Sequence, residues 1–260
     1  YNNMSLQLYS AATPNGHKIH ILLEELGVKY TPNTINIRVG EQLSPDFIRI
    51  NPNNRIPALV DEEVKGKDGK PLRLFESGSI MVYLADKYGK FLPPTTDPVA
   101  RAETLNWVMW QMGGLGPMFG QLGHFSNDKR KADNPYSFNR YKNESLRLLN
   151  ILEFHLEKRE YLAAGTYTIA DMAVYPWVRI FIKRLGDEVD LKNVKAWVAR
   201  IDARPASTKG IDTVCKIDNL PDAKKFGTFK QPEGWSEVDI YDVPTQQGIL
   251  RDAYTKINKD

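Results

Sequence analysis

The sequence predicts an α/β domain followed by an all-helical one, and three observations carry that expectation. Strand-type alternation and helix-type periodicity interchange over residues 6–88. Strand signals then vanish, and only the longer apolar period continues. A proline-rich stretch, Phe91-Leu92-Pro93-Pro94-Thr95-Thr96-Asp97-Pro98, lies between the two regimes and reads as a linker.

Taken in order, Leu6 and Leu8 alternate with polar neighbours over 6–9, the pattern of a half-buried strand. Over 16–26, Ile19, Leu22, Leu23 and Leu26 share one helical face, and Gly27 is a stop signal. Tyr30 to Ile37 carries β-branched residues at alternate positions and predicts a second strand, parallel to the first because a helix intervenes. Ser44 as N-cap and Pro45 at the first helical position predict a short helix to Ile50. Asn51-Pro52-Asn53-Asn54 is turn chemistry. Two apolar runs, 58–60 and 72–75, flank the polar segment 65–70 and predict an antiparallel hairpin. A helix follows from Ser77 to Tyr88, with Ile80, Tyr83 and Leu84 inward and Gly89 at its end. The order is βαβ, then ββα, around a mixed sheet.

Helical patterns run over 98–122, 135–160, 168–184, 190–203 and 205–214. The expected organisation is a first domain over 5–91, a linker over 92–97, a helical domain over 98–214 and an extended tail over 215–260. That tail is polar with scattered Pro and Gly, and reads as irregular chain. Its aromatics, Phe226, Phe229, Trp235 and Tyr241, suggest that it packs on the body.

At 260 residues, 42% hydrophobic and 26% charged, the chain has the composition of a globular protein with ample core. A net charge of +3, with acids and bases interleaved as in Glu153 to Glu160, argues against a dedicated nucleic-acid or membrane surface. The single cysteine, Cys215, can form neither an internal disulfide nor a thiolate metal site, and reads as a packing residue. No metal is expected. With no apolar run of spanning length and no signal-peptide pattern, the expected compartment is the cytoplasm.

Several short stretches carry chemistry. Thr13-Pro14-Asn15-Gly16 occupies the loop where a C-x-x-C redox pair would sit, yet contains no thiol. Ile56-Pro57 enters a strand and is either a cis peptide or a trans-proline at an edge. Glu76-Ser77 opens a helix whose N–H groups and dipole favour an anion; alone, it reads rather as an ordinary cap with an acid near the dipole. Thr168 and Asp171 form a variant capping box, with Tyr167 and Met172 as its apolar staple, and the role is structural. Gly113, Gly114 and Gly116 disfavour a helix and imply close approach of another helix or a substrate. Trp107, Trp110, Tyr175 and Trp177 fall at helical spacing and read mostly as core.

Asn53-Asn54-Arg55-Ile56-Pro57-Ala58-Leu59, Phe75-Glu76-Ser77-Gly78-Ser79-Ile80 and Thr168-Ile169-Ala170-Asp171-Met172-Ala173 together resemble the glutathione transferase superfamily over residues 6–213. Thr13 to Lys18, Gly113 to Met118 and Arg140-Tyr141 narrow the resemblance to the nu-class, disulfide-reductase type and its fungal nitrogen-regulator-like relatives.

The resemblance implies a thioredoxin-like first domain, a homodimer, and glutathione as cosubstrate. It implies a cis Ile56-Pro57 bond, with Ile56 offering its backbone to the cysteinyl unit, and Glu76 and Ser77 holding the γ-glutamyl end. Gln42 or Arg55 would meet the glycyl carboxylate, and Arg140 would close over the ligand; Arg140 otherwise reads as a partner for Glu144. Thr13 and Asn15 would touch the sulfur, with Tyr9 and Ser10 as rivals. Tyr9, His124 and Phe125 are candidates for the second-substrate pocket. The implied activity is reduction of disulfides or peroxides through bound glutathione, with weaker conjugation of small electrophiles. A non-catalytic glutathione-binding regulator is the alternative.

Overall fold

The structure is a computed structural model in which residues 5–185, 188–218, 247, 248, 250–252, 254 and 255 are described. The chain divides into two compact units, Tyr1–Ile80 with Gly210–Asp260, and Met81–Lys209.

The first unit is built on β1 (Leu6–Ser10), α1 (Pro14–Leu26), β2 (Thr31–Thr34), a 3-10 turn (Glu41–Leu43), α2 (Pro45–Ile50), β3 (Ala58–Lys65) and β4 (Pro71–Phe75). The sheet order is β2-β1-β3-β4. β1 runs parallel to β2 and antiparallel to β3, with Leu8 opposite Leu59 and Tyr9 opposite Ala58. The mixed sheet and βαβ–ββα order are those that the sequence predicts.

Alternation along β1 sends Leu6, Leu8 and Ser10 to one face and Tyr9 to the other. The first face is covered by α1, where the Ser10 hydroxyl meets His20 Nε2 at 2.7 Å. On the second face Tyr9 packs with Ile50 and Ile56 against the buried cluster Ile35, Phe47 and Ala58. Burying these apolar groups on both faces is the main favourable term holding the sheet.

Local signals behave as their chemistry requires. Ser44 caps α2 by accepting from Phe47 N–H at 3.3 Å, and Pro45 occupies the first turn. Gly27 ends α1 at φ +70°. Two boundaries differ from expectation. β2 stops at Thr34 because Asn36 turns the chain: its N–H donates to Glu41 Oε2 at 2.7 Å and its carbonyl accepts from Val39 and Glu41. β3 continues to Lys65 through a register shift, and its outer half is exposed, so no apolar pattern marks it.

The second unit carries most of α3 (Ser77–Tyr88), then α4 (Pro98–Trp110), α5 (Gly116–Phe125), α6 (Asp128–Asp133), α7 (Pro135–His155), α8 (Ile169–Leu185), α9 (Lys192–Asp202) and the start of α10 (Pro205–Asp218). The single helix expected over 98–122 is interrupted by a π turn, Gln111–Leu115, before α5. Among the described residues, nothing stands within 4 Å of a Cβ added at Gly113 or Gly114, so no helix makes the close approach there, and the space is open. Only Gly116 is tight, 2.5 Å from Gln111 Nε2. The helix expected over 135–160 ends at His155, and α6 was not foreseen because its sequence is polar throughout.

Tyr175 is buried, whereas Trp107, Trp110 and Trp177 are half-buried, so the expectation that these aromatics are mostly core holds fully for one. The linker is pinned within this unit: Arg101 donates twice to Asp86 at 2.8 and 2.9 Å, and once to the Pro93 carbonyl. α10 runs through Cys215 to Asp218, four residues into the stretch read as irregular. Phe226, Phe229, Trp235 and Tyr241 lie outside the described residues. Among the described residues, no helix is long and apolar enough to cross a membrane.

From Gly210 onward α10 belongs to the first unit. A Cβ on Gly210 would stand 2.7 Å from Ile21 N and 2.9 Å from the His20 carbonyl carbon, so α10 meets α1 backbone to backbone.

Asp171 is the polar centre of the second unit. It is fully buried and accepts from Leu162 N–H, Thr168 N–H and Trp197 Nε1–H at 2.9–3.0 Å, while the Thr168 hydroxyl accepts from Ala170 N–H at 3.2 Å. With the Thr168 hydroxyl also donating to it at 3.4 Å, Asp171→Ala orphans four donors around a vacated site, and the expected loss is about 3 kcal/mol or more, read by chemical denaturation. An Asp171→Ala protein as stable as the parent contradicts the structural role.

Candidate functional site

The loop after β1 is set by one close approach. A Cβ on Gly16 would stand 2.2 Å from the Ala11 carbonyl oxygen, so no side chain fits there. The loop folds back tightly, with Thr13 N–H donating to the same carbonyl at 2.7 Å. Thr13 takes an extended conformation and caps α1, its hydroxyl oxygen accepting from Gly16 N–H at 3.2 Å. A hydroxyl that accepts at its oxygen still has its own hydrogen to donate. Thr13 and Asn15 are both half-buried, at the positive end of a 13-residue helix.

Ser10, by contrast, is turned inward. Tyr30 O–H donates to Glu24 Oε1 at 3.2 Å, so its oxygen accepts from His20 Nδ1–H at 2.8 Å. His20 Nε2 then accepts from the Ser10 hydroxyl. Burial lowers the His20 pKa to about 3, with His17 nearby acting in the same direction, and keeps the ring neutral. Tyr9 lies edge-on to Phe47 at 6.4 Å, and burial, then the Glu62 charge, raises its pKa. The Ser10 hydroxyl is thus engaged by His20, while the Tyr9 ring packs on Phe47.

A second helix start belongs to the same unit. Glu76 is exposed and holds the left-handed region at φ +68°, an unusual backbone for a residue with a side chain. Its carbonyl accepts the first turn bond of α3 from Ile80 N–H at 3.0 Å, and its carboxylate accepts from Asn53 Nδ2 at 3.3 Å. Ser77, 6% exposed, accepts from Lys18 Nζ at 3.3 Å. Lys18 is 1% exposed; burial lowers its pKa to about 7, opposed by the Glu76 charge.

Between these helix starts runs the 51–57 turn. Asn51 is buried and organises it: Nδ2 donates to the Arg55 carbonyl at 2.5 Å and Oδ1 accepts from Asn53 N–H at 2.8 Å. Ile56-Pro57 is cis, Ile56 is half-buried and Arg55 is exposed. Gln42 is buried, its Nε2 donating to the Ile37 carbonyl at 3.5 Å and its Oε1 finding no partner among the described residues.

Thus Tyr9, Thr13, Asn15, Gln42, Arg55, Ile56, Pro57, Glu76 and Ser77 all lie in the first unit, while Arg140, His124 and Phe125 lie in the second. Arg140 is exposed on α7, where Glu144 takes its paired hydrogen bonds from Arg147 at 2.7 Å. The partnership of Arg140 with Glu144 is therefore reduced to a field effect. Phe125 stacks on Tyr141 with ring centroids 5.6 Å apart, and exposed His124 stands edge-on to Phe125. Among the described residues, no three His, Cys, Asp or Glu side chains could hold a metal.

Sequence reasoning assigned no part to Lys18 or His20. The signal was present: Lys18 precedes Ile21 and Leu22 by three and four positions, which puts a charge on an apolar helical face.

Comparison with known proteins adds three findings. The glutathione S-transferase N-terminal domain family matches residues 4–86, and its C-terminal domain family matches 125–205. Disulfide-bond oxidoreductase YfcG of Escherichia coli is 44% identical over 79% of this chain and 94% of its own. Glutathione transferases from Burkholderia graminis, with two glutathione molecules bound per subunit, and from Pseudomonas putida, with one glutathione disulfide bound per subunit, superpose with a TM-score of 0.74 each. They are 48% and 44% identical, over 81% of this chain and 88% and 92% of theirs.

The buried His20 network makes a pH-dependent contribution to stability. An unfolded His20 titrates near 6.5 and the folded one near 3, so between these values the unfolded chain holds the extra proton. The contribution is full above pH 6.5 and declines as pH falls toward 3. The stability difference between wild type and His20→Gln, measured by denaturant titration, should shrink across that window; a pH-independent difference contradicts it.

Proposed function

Because the chain belongs to the glutathione S-transferase family, we propose that it binds glutathione along its first unit and uses the activated sulfur chiefly to reduce disulfides. The observation that carries this reading is the Thr13 hydroxyl, which accepts from Gly16 N–H and keeps its hydrogen to give. It stands with the Asn15 amide at the start of α1, where donors and dipole favour a thiolate.

In this reading the γ-glutamyl carboxylate takes N–H donors at the start of α3 with Ser77, and Glu76 receives the α-amino group. Ile56 pairs its backbone with the cysteinyl unit, and Gln42 or Arg55 faces the glycyl end. Arg140 is proposed as a further glutathione ligand. Tyr9, His124 and Phe125 are proposed to touch the second substrate.

The sulfur loses its proton to solvent and its thiolate attacks one sulfur of the substrate disulfide. A glutathionyl mixed disulfide forms and a substrate thiolate leaves. A second glutathione thiolate then attacks the mixed disulfide, giving glutathione disulfide and the second substrate thiolate. Both sulfurs come from glutathione, so the chain needs no cysteine of its own in the loop. That the Burkholderia relative holds two glutathione molecules per subunit supports such a two-thiol cycle. The same thiolate can attack small electrophiles, and we assign conjugation a lesser part. A cytoplasmic homodimer completes the proposal.

Thr13→Ala and Asn15→Ala test it. Each removes a donor to the sulfur, and each should lower kcat/KM at least about tenfold with a small disulfide and with an aryl halide, the equivalent of about 1.4 kcal/mol of transition-state stabilisation. Steady-state kinetics read the outcome. Unchanged turnover of both substrates by both variants overturns the assignment.

A further inference from the structure

The loop that carries Thr13 and Asn15 is closed at its base by a side-chain bond as well as by its backbone. Ser10 is the last residue of β1, His20 lies one turn past Gly16 on α1, and their side chains meet at 2.7 Å. Both are buried, as is Tyr30, whose oxygen stands 2.8 Å from His20 Nδ1. Tyr30 lies just before β2 and is held in turn by Glu24 of α1, at 3.2 Å, and by the side chain of Thr213 on α10. α10 also meets the backbone that bears the ring, since a Cβ on Gly210 would stand 2.9 Å from the His20 carbonyl carbon. The imidazole is thus fixed at its backbone and at both nitrogens.

The donors run in one direction along this chain. An ionised carboxylate only accepts, so Tyr30 gives its hydrogen to Glu24 and its oxygen takes Nδ1–H, which leaves Nε2 to accept from the Ser10 hydroxyl. Resting on the glutathione reading above, we propose that Ser10, His20 and Tyr30 are positioning residues for the sulfur: their hydrogen-bonded chain clamps the end of β1 to α1 and holds the Thr13 and Asn15 donors in line. All three act through the loop, and none is assigned a contact with the sulfur. Donors stabilise a developing anion most when they are fixed before the charge appears, so loosening the clamp weakens them without removing them.

The test removes one link at each end. Ser10→Ala deletes the hydroxyl beside the loop. Tyr30→Phe deletes the acceptor of Nδ1–H, which frees the ring to change tautomer and release Ser10. The ultraviolet absorption of the thiolate of bound glutathione, followed against pH with protein in excess, gives a midpoint for each. Both variants should raise it by about half a unit or more, with kcat/KM for a small disulfide about threefold lower at pH values below the midpoint. Affinity for S-methylglutathione, which has no thiol to ionise, should stay within about threefold of wild type; a larger loss means that the chain shapes the whole pocket and overturns the assignment to the sulfur. Circular dichroism checks folding, and if one variant does not fold, the other decides. A wild-type midpoint in either folded variant overturns the inference; in Tyr30→Phe alone, it means that Ser10 acts on the sulfur by itself. Each of these outcomes leaves the glutathione reading standing. Failure of wild type to bind glutathione, or a wild-type midpoint at the free-thiol value, overturns both.

Discussion

The close approach of the Ala11 carbonyl oxygen to Gly16, which leaves no room for a Cβ, is the constraint on which the rest of the first unit depends. It allows the chain to leave β1 and enter α1 without an intervening arch, and it puts Thr13 at the cap with Asn15 in the first turn. A longer loop would carry the same residues away from the helix end, where donors and dipole act together. The backbone, more than any single side chain, brings the two donors to one place.

A second helix start, that of α3, is tied to the first helix from below through Lys18 and Ser77. Ser10 and Tyr9 flank the loop in sequence; the Ser10 hydroxyl is engaged by the neutral ring of His20, and the Tyr9 ring packs on the cluster around Phe47. The chain belongs to the glutathione S-transferase family. The absence of cysteine from its loop is consistent with a sulfur borrowed from its substrate.

Much of this is legible in the sequence because it rests on local chemistry. Ser44 and Gly27 sit where a cap and a stop are expected, and the Thr168–Asp171 pair forms the cap that its spacing implies. What was hidden has physical causes. The outer half of β3 and all of α6 are exposed, and exposed elements carry no apolar period. The π turn at 111–115 continues directly from α4 into α5, and its composition does not distinguish it from a helix broken by glycines. The tasks of Lys18, Ser10 and His20 depend on neighbours distant in sequence, and spacing along the chain cannot report them.

The central claim is that the start of α1 holds the glutathione sulfur as a thiolate. Its most direct test is the ultraviolet thiolate absorption of bound glutathione, followed against pH with the wild-type protein in excess. The account predicts a midpoint at least about one unit below the roughly 8.5 of a free thiol. A midpoint at the free-thiol value, with glutathione demonstrably bound, would contradict it.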